Sequence, residues 1–295
     1  MSALIQAMRV LTDPSECGAV AIGLCQDVEG EAYDYPEYFF QKRVHRISRV
    51  SAAKEEVQDL ADALSKSKKP LIVVGGGVKY SEAGEAVEAF CKEFNIPFGE
   101  TQAGKSACHS SDPYCLGGIG VTGTLAANRI AKEADTVLAI GSRLSDFTTG
   151  SKWLFREEGV QVLTINNNRY HAYKMDAIKA VGDAKATLEE LAKALREKNY
   201  RSAYKGEIES CKAEWDKEYN RLAEYAYKEE GFEPLVPERD PRTIPEFVEK
   251  TKGYLTQTAA IAALRRKMPA DGIVITAGGS LPSCMQRLWT TDSRY

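Results

Sequence analysis

The 295 residues carry 39 Lys and Arg against 42 Asp and Glu, a formal charge of -3 at pH 7, with 43% apolar and 27% charged content. That balance leaves no global basic field to draw the chain to nucleic acid or to an anionic membrane. No run approaches the roughly 20 apolar residues of a membrane span, and the opening MSALIQAMRVLTDPSE lacks a signal peptide's basic head and cleavage site, so the cytoplasm is the expected compartment.

Seven cysteines, at 17, 25, 91, 108, 115, 211 and 284, form no C-x-x-C pair, and their odd number argues against a complete disulfide framework. Cys108, His109 and Cys115 offer no evident fourth ligand, so they are read as loop residues rather than a metal site.

In chain order, SALIQAMRVL has apolar positions at helical spacing, and GAVAIGL at 18–24 reads as a buried strand. The stretch that follows, CQDVEGEAYDYPEYFFQKRVHRISR, lacks regular periodicity and is expected to cross a surface. Its Tyr33, Tyr35, Tyr38, Phe39 and Phe40 would pack this linker against a neighbouring body.

From 52 to 200 the pattern becomes regular. KEEVQDLADAL places Val57, Leu60, Ala61 and Leu64 on one helical face, Pro70 precedes the strand LIVV, and GGGV at 75–78 makes a turn. A helix from about Ser81 would present Ala83, Val87, Phe90 and Phe94 to a sheet, with a short strand at IPFGE beyond it. TLAANRIAKEAD then supplies a helix, TVLAI and VQVLTIN two strands, and DAKATLEELAKALREK a last helix capped by Asp183. Helices alternating with compact apolar strands predict a doubly wound α/β domain with a mostly parallel central sheet.

Residues 201–254 read differently: a charged, Tyr-rich helix through KAEWDKEYNRLAEYAYKEE, then GFEPLVPERDPRTIPEF, whose four prolines bar a regular helix. At Thr256 a new unit begins, with TQTAAIAALRRKMP as an amphipathic helix and IVITA as a strand. One helix and one strand cannot close a core, so this is expected to be the start of an unfinished domain.

Several stretches are candidate sites. The contiguous GGG, with Tyr80 and then Gly84, departs from the G-x-G-x-x-G spacing of dinucleotide folds and reads as a tight strand exit. Lys105, His109 and the glycines 117, 118, 120 and 123 offer a charge and backbone amides ahead of a helix, a surface suited to a phosphate or carbonyl ligand. GSRLSDFTTGS, with Arg143 and Asp146, lies just beyond a strand and belongs to the crevice where open α/β sheets place ligands, unless those two residues pair with each other. NNNRYHAYK exposes Asn166, Asn167, Asn168, Arg169 and His171, yet no motif sets a nucleophile or carboxylate beside His171.

The ordered set LIVVGGGV, GETQAGKSA, LGGIGVTGTLAAN, ADTVLAIGSRLSDFTTGS, INNNRYHAYK and VGDAK resembles the central domain of thiamine-diphosphate enzymes of the acetolactate synthase superfamily. With GEAYDYPEYFFQKRVHRI before it and TQTAAIAALRRKMPADGIVITAGGSLPSCMQRLW after it, the whole chain resembles the trihydroxycyclohexanedione hydrolases of inositol catabolism. The resemblance implies that residues 1–30 are the tail of a pyrimidine-binding domain, 31–51 a linker, 52–200 the central domain, 201–254 a second linker and 255–295 the opening of a diphosphate-binding domain.

It further implies thiamine diphosphate and Mg2+ as cofactors of the complete enzyme, a small cyclic diketone as substrate, and a homodimer or homotetramer. Flavin (FAD), which the synthase branch holds between comparable loops, is not expected. Gly279, Ser280 and Leu281 match the first loop on the diphosphate side and are the cofactor-binding candidates, with Pro282 opening the next helix. Lys105 and Arg143 are expected to face the crevice. Cys25 stands where the family commonly has Pro.

The family's activating glutamate and its Gly-Asp-Gly metal motif map onto no part of this sequence, so neither catalytic nor metal residues are assigned and no independent turnover is expected. Two other readings stand beside this one. One is a fragment of an acetolactate-type carboligase; the other is a noncatalytic α/β nucleotide-binding or scaffold protein.

Overall fold

A computed structural model describes residues 1–155, 159–226 and 243–292. The chain opens with helix α1 (Ser2–Thr12) and reaches the regular domain at α2 (Lys54–Leu64). There follow β1 (Pro70–Val74), α3 (Gly76–Tyr80), α4 (Gly84–Phe94), β2 (Phe98–Glu100), β3 (Cys115–Gly118) and α5 (Leu125–Glu133). The second half holds β4 (Thr136–Ile140), α6 (Asp146–Thr149), β5 (Gln161–Asn166), α7 (Arg169–Ala172), β6 (Ile178–Val181) and α8 (Ala184–Glu197). Beyond the sheet lie α9 (Glu207–Ala223), α10 (Thr243–Thr251), α11 (Gln257–Lys267) and α12 (Ser280–Leu288).

The six strands form one sheet in the order β3-β2-β1-β4-β5-β6, and every pairing is parallel. β1 and β4 are buried at every residue, as the uninterrupted apolar runs LIVV and TVLAI require. Successive side chains alternate between the two faces. Ile72, Val74, Leu138 and Ile140 join one cluster with Val57, Leu60, Phe90, Phe94 and Leu191 of α2, α4 and α8. Leu71, Val73, Val137 and Ala139 join another with Ile130 of α5 and Ile208 of α9. The helical faces expected for α2 and α4 are therefore the ones buried. Asp183 caps α8, its carboxylate accepting from the amides of Lys185 and Ala186 at 3.1 Å each.

Several expectations need correction. Residues 18–24 form no strand: no strand among the described residues pairs with them, and Val20, Ile22 and Leu24 are exposed. IVITA likewise has no partner strand among the described residues, and Ile273 and Ile275 are exposed. Tyr33, Tyr35, Tyr38 and Phe40 are exposed too. The cluster packs within itself, Tyr35 against Tyr33, Phe39 and Phe40, instead of against a neighbouring body. Gly76 opens a short helix of its own, α3, and α4 starts only at Gly84. β3 and β6 are strands that the sequence pattern does not announce. Of the Pro-rich stretch, Pro234, Pro237 and Pro241 lie outside the described residues. Pro245 does not bar a helix, because it sits in the first turn of α10, where no intrahelical N–H is needed.

The C-terminal helices are attached through apolar packing and hydrogen bonds. Met285, Leu288 and Trp289 of the α12 region cluster with Ile261 of α11 and with Trp215, Tyr219 and Leu222 of α9. No helix among the described residues is long and apolar enough to cross a membrane.

Candidate functional site

The chain runs from β1 outward to β2 and β3 on one side and returns to place β4, β5 and β6 on the other. The C-terminal ends of β1 and β4 thus flank a topological switch point, where an open α/β sheet leaves a crevice. A cavity of about 720 Å³ occupies it.

Its floor is glycine for a steric reason. A Cβ built on Gly75 would lie 2.3 Å from the carbonyl oxygen of Gly141, and one on Gly77 would lie 2.6 Å from the Cα of Gly141. Gly141 itself has φ of 61°, and the amide of Gly77 donates to its carbonyl at 3.0 Å. The GGG run is thus a strand exit built for backbone contact, and Gly76, Gly77 and Gly141 line the crevice.

Around that floor the candidates sort into those the fold brings together and those it does not. Arg143 lines the crevice, is exposed, and forms no ion pair with Asp146, which does not line it. Asn166, Asn167, Asn168 and His171 line it as well. The asparagines are structural tethers: the side-chain amide of Asn167 donates to the carbonyl of Pro14, and that of Asn168 donates to Glu16 at 3.0 Å. These bonds hold the segment after α1 against the end of β5. The ring of His171 meets Tyr170 edge-on at 5.6 Å and has no hydrogen-bonded partner among the described residues. It lacks the oriented neighbour that acid-base work requires.

His109 lies outside the crevice, its backbone amide and Nδ1 directed at Glu88 at 2.7 and 3.1 Å. The glycine run 117–123 provides no anion cradle, because its amides are used internally. The amide of Gly120 donates to the Asn128 side chain, that of Val121 to the carbonyl of Phe147, that of Gly123 to the carbonyl of Gly120, and that of Ile119 to the carbonyl of Glu100. The loop instead receives α12: Gly118 packs on Gln286, and Arg287 donates to the carbonyl of Gly123 at 3.1 Å.

Lys105 does not line the crevice either. Its Nζ stands 3.9 Å from the carboxylate of Glu100 and donates to the main-chain carbonyl of Gln286 at 3.2 Å. Glu100 is fully buried at the end of β2, and neither carboxylate oxygen has a hydrogen-bond partner. Burial raises its pKa to about 7, with Lys105 opposing the rise and Glu88 adding to it. Sequence reasoning missed this residue, although a glutamate closing a compact apolar strand was a visible signal.

Asp183 does more than cap α8. It also accepts from Ser81 Oγ at 2.7 Å and from Arg49 at 3.3 Å, and Arg49 donates to the carbonyl of Tyr80 at 2.9 Å. The linker is thereby fixed to the crevice rim.

Of the three cofactor-binding candidates, Gly279 lines the crevice with Pro282 and Ser283, while Ser280 and Leu281 are exposed at the start of α12. Gly279 has φ of 107°, and a Cβ there would meet nothing within 4 Å. The nine-residue α12 has no side-chain cap and no acidic residue in its first turn. Its open N-terminal amides and adjoining free space fit an anionic group such as a diphosphate. Among the described residues no cluster of three or more His, Cys, Asp or Glu side chains is placed to hold a metal ion.

Residues 57–191 match the family described as thiamine pyrophosphate enzyme, central domain. Over 294 residues the chain is 55% identical to a 3D-(3,5/4)-trihydroxycyclohexane-1,2-dione hydrolase of Clostridium perfringens, covering 100% of this chain and 46% of that protein. Proteins of the same name from Clostridium botulinum and Bacillus thuringiensis are 53% and 50% identical, each with 99% of this chain and 45% of the relative covered. The chain spans about half the length of the relatives it matches.

Proposed function

The chain is a partial counterpart of the trihydroxycyclohexanedione hydrolases, matched along its whole length and carrying a thiamine pyrophosphate enzyme central domain, and from this we propose that it contributes that domain and one lip of the cofactor site to a thiamine-diphosphate-dependent C–C hydrolase. The substrate of the complete enzyme is a small cyclic diketone, and the reaction opens its ring. The carrying observation is that the match at 55% identity covers 294 residues, 100% of this chain, so that it takes in the GGSLP loop as well as the central domain.

In this reading residues 52–200 form a doubly wound central domain, flanked by incomplete pieces of two further domains at 1–30 and 255–295, with linkers at 31–51 and 201–254. The complete enzyme is a cytoplasmic homodimer or homotetramer with no nucleic-acid or membrane partner, and it uses Mg2+ but no FAD.

In this reading Gly279, Ser280 and Leu281 would hold the cofactor: the open amides at the start of α12 would donate to the diphosphate and the Ser280 hydroxyl would add a hydrogen bond, with Gly279 at φ of 107° leading into the helix. Thiamine diphosphate, when bound, supplies the carbanion nucleophile and electron sink that no side chain provides. Arg143 and Gly76 line the same crevice as Gly279.

The test is an assay of the complete hydrolase containing these 295 residues, with the cyclic diketone and with thiamine diphosphate present or omitted. Ring opening is expected only with the cofactor, and Ser280→Ala is expected to weaken its binding about tenfold, the value of one charge-assisted hydrogen bond at roughly 1.4 kcal/mol. The 295-residue chain alone is expected to show no turnover. Unchanged cofactor affinity in the variant removes Ser280 from the site, and ring opening without the cofactor overturns the reading.

A further inference from the structure

Nothing in the activity requires a buried carboxylate at Glu100, yet the fold places one there with neither oxygen hydrogen-bonded and a single cation nearby. Burying such a group is costly unless its charge organises something. What surrounds it is the seat of α12. Lys105 Nζ, 3.9 Å from Glu100 Oε2, donates to the carbonyl of Gln286 at 3.2 Å. The Gln286 side-chain amide donates back to the main-chain carbonyls of Glu100 and Ile119, at 3.4 and 3.2 Å, and the Thr122 hydroxyl bonds to Gln286 Oε1. Gln286 is itself buried and lies between the end of β2 and the crevice, which it lines together with Gly279 and Ser283 of the same helix region.

We propose that Glu100 and Lys105 are positioning residues: the pair clamps Gln286, sets how α12 docks on the ends of β2 and β3, and thereby fixes where the Gly279–Leu281 loop stands over the crevice. What that loop holds rests on the thiamine-diphosphate reading; the clamp itself does not. Because Lys105 carries the carboxylate's influence to a main-chain carbonyl two turns into α12, a loss at either residue is transmitted along a rigid helix to Gly279.

Hydrogen exchange of the 295-residue chain, without cofactor, tests this segment by segment. Lys105→Met is expected to raise exchange in peptides covering 280–292 at least tenfold while peptides from β1 and β4 keep their wild-type rates. Lys105→Arg, which restores a cation and donors, is expected to return the 280–292 rates to within about threefold of wild type. Glu100→Gln is expected to loosen the same segment, and Thr122→Val, outside the buried pair, provides a milder variant should either substitution prevent folding. Unaltered exchange at 280–292 in the Lys105→Met and Thr122→Val proteins overturns the proposal, as does loosening spread evenly over the sheet or not rescued by Arg. Cofactor affinity in the complete hydrolase separates the two readings. If α12 loosens and binding is unaffected, the clamp stands and the loop's assignment falls.

Discussion

Gly75 and Gly141 meet backbone to backbone, so closely that a methyl group on the first would lie 2.3 Å from the carbonyl oxygen of the second. The amide of Gly75 also donates to the carbonyl of Ile140 at 2.9 Å, which ties the exits of β1 and β4 together at the crevice floor. Neither strand exit can move without breaking that bond. Gly75→Ala is therefore expected to destabilise the fold by at least the roughly 1–3 kcal/mol typical of overpacking, and to distort the crevice. Gly253→Ala, where nothing lies within 4 Å, is the control and should change stability by well under 1 kcal/mol. Urea denaturation of the two variants measures the difference.

Asp183 joins three elements through one carboxylate: the first turn of α8, Ser81 after α3, and Arg49 of the linker. Asp183→Ala removes all of these and is expected to cost at least the 0.5–2 kcal/mol of a lost helix cap. Asp183→Asn keeps the oxygen that accepts from the α8 amides but puts an NH2 group where Oδ2 accepts from Ser81 and Arg49, so it should cost less than Asp183→Ala while still releasing Arg49. Limited proteolysis within residues 41–50 is expected to speed up in both variants, because Arg49 is the linker's anchor.

The sheet was legible where local physics and tertiary structure agree. LIVV, TVLAI and VQVLTIN are apolar runs bounded by breakers, and they became β1, β4 and β5. β3 was not legible because CLGG contains two glycines and borrows its strand character from pairing with β2. GAVAIGL and IVITA failed in the opposite sense, having strand-like composition but no partner strand among the described residues to satisfy their backbone groups. In the site, the strand-exit glycines and the GGSLP loop were readable from spacing. The roles of Asn167, Asn168, Glu100 and Lys105 were not, because each depends on a contact with a residue more than 150 positions away or on burial that no local pattern reveals.

Glu100 makes stability depend on pH in a defined direction. Its carboxyl is raised from 4.5 to about 7 by burial, with Lys105 pulling it down and Glu88 pushing it up. Below pH 4.5 the group is protonated in folded and unfolded chains alike, and its burial is at its least costly. Between 4.5 and about 7 the unfolded chain gives up the proton while the folded chain keeps it, so stability falls as pH rises. Above about 7 both forms are ionised and the loss levels off. The full span of 7 - 4.5 = 2.5 units corresponds to about 3 kcal/mol at 1.36 kcal/mol per unit. Other titrating groups contribute to the wild-type profile, so the quantity to measure is the wild-type unfolding free energy minus that of Glu100→Gln. This difference is expected to decline by about that amount from pH 4.5 to 7.5 and then remain flat. A flat difference across the whole range means that Glu100 reaches solvent in the folded chain.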